Sequence, residues 1–417
     1  MINFQSISID EFQKRQTEEL REIWYTCDQG SLSIPVEFSS GKKRENEERV
    51  SELLAWLEKQ LSLKKSDPEE QKQKSFEAGE RLKEFSGKVF DLSDEQTNCF
   101  HDLGIDQVSG EFYRQARSFD PKMDTSDIYQ ASRNVWTSNY LQALLDLPIQ
   151  LTPALFAYSM LYPVSDNYLD DPRLSRAEKI AFNERFYAWL TGAVVKPMNA
   201  NEQQVLDLVK MIESQYRREQ YPQVFDSLLA IHAAQDRSMR MPESPVPPYL
   251  VDVLGVTFSK GGTSVLADGV LAAGELNEVE MGIIFNFGAF AQLMDDQEDM
   301  ASDLQKNALT IFTDAARIGK ADLVARRLFC FAHQVLKGME YFDHERVRPL
   351  KQMSMKGIDL LMIDGILRME KYYSKAFLAE LEPHFPVHFK FMRKVRTELM
   401  KRKITLDRVL GLFMTGE

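Results

Sequence analysis

The stretch Asn277–Asp303, NEVEMGIIFNFGAFAQLMDDQEDMASD, carries the pattern from which both fold and chemistry are read. Asn277 with Glu280 three residues on is a capping box, which predicts a helix start there. An apolar run, GIIFNFGAFAQLM, follows, and then a cluster of acids. At 100° per residue Gln292, Asp296, Asp299 and Asp303 fall within about 60° of one another, with Asp295 at the margin and Glu298 on the far side. Like charges one helical turn apart repel. Four carboxylates without interleaved Lys or Arg, set directly after an oily helix, make an expensive surface unless a cation sits on it.

Outward from this helix the periodicity stays helical. Val50, Leu53, Leu54, Trp56, Leu57 and Leu61 recur near i, i+3, i+4 and i+7, and similar stripes cover residues 127–147, 178–194, 203–219, 222–236, 322–341 and 350–380. Alternating β-branched runs bounded by Asn-Gly or Asp-Gly turns do not occur, so the expected architecture is all-α. Ser175 with Glu178 marks another capped helix start. Residues 62–96 are rich in Lys, Glu and Gln and read as a solvated helix or a connection. A boundary set near residue 100 gives an N-terminal helical extension over 1–100 and one bundle over 101–417. The Pro-rich Met241–Pro248 reads as a loop between bundle helices.

The 417 residues are 44% apolar and 27% charged, enough to bury a sizeable core. Lys and Arg number 51 against 63 Asp and Glu, a net charge of −12, which argues against a nucleic-acid partner. Cys27, Cys99 and Cys330 are widely spaced and odd in number, so no disulfide frame or thiolate zinc site is expected, and a reducing compartment fits. The N-terminal MINFQSISIDEF lacks a basic segment and an apolar segment, and the longest apolar run, around Met281 to Met294, is too short to span a bilayer. A cytoplasmic protein without a transmembrane segment is the expectation.

A second acidic cluster lies at DNYLDDP, residues 166–172. Asp166 and Asp170 stand four apart on one helical face, and Pro172 disfavours helical geometry at Asp171, so the helix should end there. Carboxylates at a helix C-terminus oppose the macrodipole, and a bound metal ion reverses that sign. Neither cluster has His or Cys beside it. Carboxylate oxygens alone select hard cations such as Mg²⁺, which keeps waters and shares ligands with phosphate oxygens. A diphosphate bridged by Mg²⁺ between two helices, with a hydrocarbon chain against the apolar helices beneath, is the ligand these residue types describe.

On these motifs the chain resembles the class I isoprenoid (terpenoid) synthase superfamily. Ala291–Asp299, AQLMDDQED, is similar to the FQxxDDxxD motif of trans-prenyltransferases, with Ala291 in place of Phe. Gln292, Asp299 and Asp303 match the Q(x)6DxxxD spacing of squalene and phytoene synthases, and Asp166–Asp171 has the DxxxDD form of their first motif. Lys260, in SKGGTS, resembles the site where a broken helix points a diphosphate ligand inward, with Gly261 and Gly262 allowing the break. The resemblance implies a helical bundle around a central apolar cavity, three Mg²⁺ ions held by Asp166, Asp170, Asp171, Asp295, Asp296, Asp299 and Asp303, and a prenyl diphosphate of C15 or longer as substrate. Lys260, Gln292, Arg173 and Arg176 are candidate donors to the diphosphate, Tyr162 a candidate wall of the chain pocket, and Arg368 with Tyr372 a candidate cap. A homodimer is compatible with this assignment.

The departures choose among subclasses. Gly41–Arg44 (GKKR) lies too early, and no RRG follows Asp171, so the second-substrate signatures of chain elongation are weak. The NSE triad of terpene cyclases is replaced by the Asp stripe, and Tyr168 stands where a DxDD acid would need its first Asp. A terpene synthase that releases pyrophosphate is favoured over head-to-head condensation or elongation. A non-catalytic helical scaffold is the alternative of another class. A carboxylate di-iron bundle is disfavoured because no histidine has a Glu three residues before it, and a P-loop is absent.

Overall fold

The computed structural model describes residues 8–28, 30, 32, 34–62, 68–241, 250–402 and 409. The described chain is helical throughout, with no strand among the described residues. In chain order the first helices are α1 (Ile9–Thr26), α2 (Ser40–Ser62), α3 (Pro68–Phe90), α4 (Asp94–Asp102), α5 (Ile105–Phe119) and α6 (Thr125–Leu144). There follow α7 (Pro153–Asp170), α8 (Arg176–Leu190), α9 (Ala200–Gln215), α10 (Pro222–Met239), α11 (Val253–Ala273) and α12 (Glu278–Glu298). The last are α13 (Met300–Gln305), α14 (Ile311–Ile318), α15 (Asp322–Leu336), α16 (Arg348–Arg368), α17 (Lys375–Leu381) and α18 (Phe389–Lys401). No helix among the described residues is long and apolar enough to cross a membrane.

Local chemistry sets the ends. Both expected capping boxes form, Ser175 with Glu178 and Asn277 with Glu280. Asp171 is extended at φ −60° and ψ 116°, as the residue before proline should be, and closes α7. Two stripes run shorter than their periodicity suggests. The one over 178–194 stops at Leu190, because Gly192 takes a left-handed φ of 86° and Ala193 N–H bonds back to Ala188 O at 2.8 Å. The one over 350–380 is broken at Arg368 by a 3₁₀ turn before α17 begins. Residues 62–96 are mostly the helix α3, whose buried contacts include Ala78 and Val89; residues 63–67 and all of Met241–Pro248 except Met241 lie outside the described residues.

The chain forms two compact units that do not follow its order. The first comprises Met1–Leu32 with Arg133–Asp343, the second Ser33–Ser132 with His344–Glu417. The boundary expected near residue 100 falls inside the second unit, within α4, and the division passes instead through α6. Periodicity marks where helices are but not which distant helices share a core, so it could not foresee α1 packing in the first unit.

In the second unit, Asn46 is fully buried and its amide donates to Pro386 O at 3.0 Å and Val89 O at 3.4 Å. Glu47 accepts from the His388 backbone and ring at 3.0 and 2.7 Å. Two adjacent residues of α2 thereby fix the turn before α18.

In the first unit, α1 buries Ile9, Phe12, Leu20 and Trp24 on one face. Phe12 meets Phe285 edge-on at 5.9 Å, Trp24 meets Phe331 at 5.5 Å, and Phe331 stacks on Phe258 at 5.4 Å. The centre of the unit is the crossing of α11 and α12. A Cβ on Gly261 would lie 2.3 Å from Gly288 O and 2.5 Å from Gln292 Cβ, and one on Gly288 would lie 2.3 Å from Gly261 O. The two backbones touch there, and only glycine admits that approach.

This corrects the expected break. α11 runs continuously through Lys260, Gly261 and Gly262. The glycines cost a little helix propensity but lose no hydrogen-bonded turn, and the absent Cβ atoms serve contact with α12 instead. Gly288→Ala and Gly261→Ala should each destabilise the protein by about 2 kcal/mol or more in urea unfolding, through overpacking. Gly357→Ala in α16, where an added Cβ meets nothing within 4 Å, should be neutral or stabilising. Equal midpoints for all three variants would contradict the backbone contact.

Candidate active site

The α11–α12 crossing sets Lys260, one residue before Gly261, beside the acidic end of α12. Asp295 and Asp296 lie in the last turn of α12, Asp299 is the joint, and Asp303 belongs to α13, whose backbone N–H bonds to Asp299 O at 2.9 Å. Asp295, Asp296, Asp299 and Asp303 line one cavity of about 290 Å³ together with Lys260 and Gln292. The lining also includes Lys306 and Thr310 from the segment after α13.

Asp296 is the buried member, 8% exposed. Its two oxygens accept from Gln292 Nε2 and Thr257 Oγ1, each at 3.1 Å. Burial pushes its pKa up to about 7, against the pull of those two donors and of Lys260. Asp295 is paired with Arg133 of α6 at 3.2 Å. Burial raises Asp295 and Asp303 as well, Asp303 also through the neighbouring charge of Asp299. Asp295, Asp296 and Asp303 therefore hold protons more tightly than separate surface acids would.

A metal site must be judged on this donor set. Among the described residues no three carboxylate, imidazole or thiol groups converge as a ready-made cage. Mg²⁺ does not require one, since it takes one or two carboxylates and fills its octahedron with water and phosphate oxygens. Asp295, Asp299 and Asp303 in the lining of one cavity, with Lys260 in the same lining, fit that mode of binding.

The first acidic cluster sits at the end of α7. Asp166 is half-buried, near enough to act on the Tyr158 phenol, and does not line the cavity above. The Asp170 side chain lies outside the described residues. Asp171 is held down to about 2 by Arg173, which forks onto it at 2.6 to 3.0 Å. Arg173 is thus engaged with Asp171 in an 88%-exposed position, and Arg176 opens α8 on the surface. Arg368 and Tyr372 belong to the second unit, where Arg368 pairs with Asp364 at 2.7 Å and Tyr372 lies under Lys371.

Tyr162 is 43% exposed and lines a separate pocket with Tyr158, Leu161, Phe186, His232 and Ser264. That pocket offers only about 40 Å³. A water needs roughly 10–15 Å³ of such space, so this pocket holds a few waters and no C15 chain.

Sequence reading missed a buried network beneath these groups. Asp268, fully buried in α11, accepts from Ser138 Oγ at 2.7 Å and Asn134 Nδ2 at 2.8 Å. The same Asn134 amide reaches Ser159 Oγ of α7 at 3.1 Å. The other Asp268 oxygen has no partner among the described residues. Asn134 follows Arg133, so this network fixes the turn of α6 that delivers Arg133 to Asp295. The available signal was a lone acid in the apolar run SVLADGVLAAG, residues 264–274.

Comparison of the chain with protein-family models, with curated proteins and with solved structures gives no match.

Burial pushes Asp268 up to about 8 from 3.8. Its folded-state pKa lies above the unfolded one, so the folded state keeps a proton that the unfolded state releases. Stability should therefore fall as pH rises from about 4 to about 8, by at most about 1.4 kcal/mol per unit, and level off above. Asp268→Asn keeps an acceptor for Ser138 and Asn134 but does not titrate. Unfolding at pH 5 and pH 8 should show the variant losing less stability than wild type by about 2 kcal/mol or more; parallel losses would contradict the assignment.

Proposed function

We propose that the first unit binds a prenyl diphosphate through Mg²⁺ and ionises it, as a class I terpene synthase does, releasing pyrophosphate. The observation that carries this reading is one cavity lined by Asp295, Asp296, Asp299 and Asp303 together with Lys260. Several carboxylates and an ammonium in one lining suit a ligand that is itself anionic and arrives with cations. Mg²⁺, when bound, supplies the Lewis-acid stabilisation of charge on the departing diphosphate.

The chain's own residues prepare that step. Lys260 donates to phosphate oxygens. Arg133, paired with Asp295 at 3.2 Å, would serve as a second donor to phosphate oxygens if Asp295 held a cation. Asp296, which burial raises to a pKa of about 7, would have to give up its proton to hold a cation, so metal affinity should rise with pH through neutrality. Asp166 and Asp170 are assigned to a second carboxylate pair on α7. The hydrocarbon chain is assigned to the pocket of Tyr158 and Tyr162, which must open for a C15 chain. The Tyr158 and Phe186 rings then offer faces to an allylic cation.

Purified protein incubated with geranyl, farnesyl or geranylgeranyl diphosphate, with Mg²⁺ or a chelator and with or without isopentenyl diphosphate, tests this. The expected result is Mg²⁺-dependent pyrophosphate release and a hydrocarbon from a single allylic substrate. Asp299→Asn and Lys260→Ala should each lower turnover by roughly 10²-fold or more. Turnover indifferent to Mg²⁺, or none with any substrate, would overturn the reading in favour of a helical scaffold. Tyr162→Ala should shift preference toward the longer substrate, and an unchanged substrate profile would contradict the pocket assignment.

A further inference from the structure

Cys27 and Cys330, distant in sequence and unrelated by any motif, meet in the first unit. Cys27 caps the C-terminus of α1, and Cys330 lies in the middle of α15. Cys330 is an immediate neighbour of the Cys27 thiol and acts on it directly. Their neighbours hold the meeting in register. Trp24, one turn before Cys27, packs on Phe331, the residue after Cys330, and the Arg327 guanidinium lies 5.8 Å above the rings of both Trp24 and Tyr25. Cys27 is 4% exposed, whereas Cys330 is half-buried and accepts from Gln334 Nε2 at 3.8 Å.

We propose that Cys27 and Cys330 form an oxidisable dithiol, which hydroperoxides convert to an intrachain disulfide joining α1 to α15. A disulfide needs its sulfurs about 2.05 Å apart, so two thiols already in contact close with a small shift. The steric setting selects a small oxidant, since only one of the two sulfurs reaches solvent. Burial, first, and the neighbouring Cys330 push the Cys27 thiol up to about 12, against the pull of Arg327. Cys27 therefore keeps its proton at neutral pH, and Cys330 is the sulfur that meets the oxidant.

The chemistry balances in two steps. The Cys330 sulfur attacks the peroxide, the O–O bond breaks, and Cys330 becomes a sulfenic acid while the peroxide leaves as water or an alcohol. The Cys27 sulfur then attacks that sulfenic sulfur; the S–O bond breaks, and the hydroxide departs with the Cys27 proton as water. Two thiols are oxidised and one peroxide is reduced. The disulfide clamps α1 in place, and α1 braces α11 and α12 through the Arg21 pair with Asp252, the N-cap of α11, and the Phe12 contact with Phe285. Nothing in this depends on the diphosphate reading.

The test uses the full chain, treated with hydrogen peroxide under native conditions, then denatured, alkylated and mapped by mass spectrometry. The expected result is loss of two of the three alkylatable thiols, a mass lower by two hydrogens, and a linked peptide pair containing Cys27 and Cys330 that dithiothreitol separates. Cys27→Ala should leave Cys330 as a sulfenic acid that dimedone captures, while Cys330→Ala should leave Cys27 alkylatable after the same treatment. Wild-type protein that keeps Cys27 alkylatable while Cys330 becomes a sulfinic acid, or that links either residue to Cys99, would overturn the proposal. The wild-type map decides even if a variant fails to fold.

Discussion

The contact of Gly261 with Gly288 is the constraint on which the candidate site depends. Two helices whose backbones touch cannot slide or rotate without a clash, so the residues one turn beyond the contact are placed with little freedom. Gln292 is one turn past Gly288 and Lys260 adjoins Gly261, and both open into the cavity that the aspartates line. A crossing held apart by ordinary side chains would set Lys260 several ångströms farther from Asp296. The apolar character of α11 and the first half of α12 serves the same end, since burial on nearly every side leaves the acidic end of α12 as the wet margin of a rigid core.

That placement has an electrostatic cost, distributed across the unit. Burial raises Asp296 in the cavity to about 7 and Asp268, farther along α11, to about 8. Their donors come from three helices: Thr257 on α11, Gln292 on α12, and Asn134 and Ser138 on α6, with Arg133 reaching Asp295 from the same turn. Asn134 also ties α6 to Ser159 of α7. A buried polar group left unpaired costs more than a satisfied one returns, so removing one member of this network affects its neighbours. Burial consequently biases Asp295, Asp296 and Asp303 toward their neutral forms, and a cation bound there would favour their charged forms.

Much of this was legible in the chain and some was not. Helix positions and both capping boxes followed from spacing, because i, i+3 and i+4 patterns and Ser or Asn caps are local. The acidic stripe was legible for the same reason, as was the end of α7 before Pro172. Partnership across long sequence separation was not. Gly261 and Gly262 read as a break because glycine weakens a helix, yet their lack of side chains is used against α12. Arg133 stood in an unremarkable polar helix, and Cys27 and Cys330 carried no spacing signal at all. The apolar cavity implied by the resemblance depends on side-chain packing to within a few ångströms, and the pocket beside Tyr162 is narrower than a prenyl chain requires.

The most direct test of the account is a crystal structure of the protein grown with Mn²⁺ and inorganic pyrophosphate, with the metal located by anomalous scattering. The account predicts manganese peaks bonded to carboxylate oxygens of Asp295, Asp299 or Asp303, bridged to a pyrophosphate that accepts from Lys260, with Arg133 withdrawn from Asp295. Pyrophosphate bound away from α12, or no metal on these carboxylates while the Arg133–Asp295 pair stays closed, would contradict it.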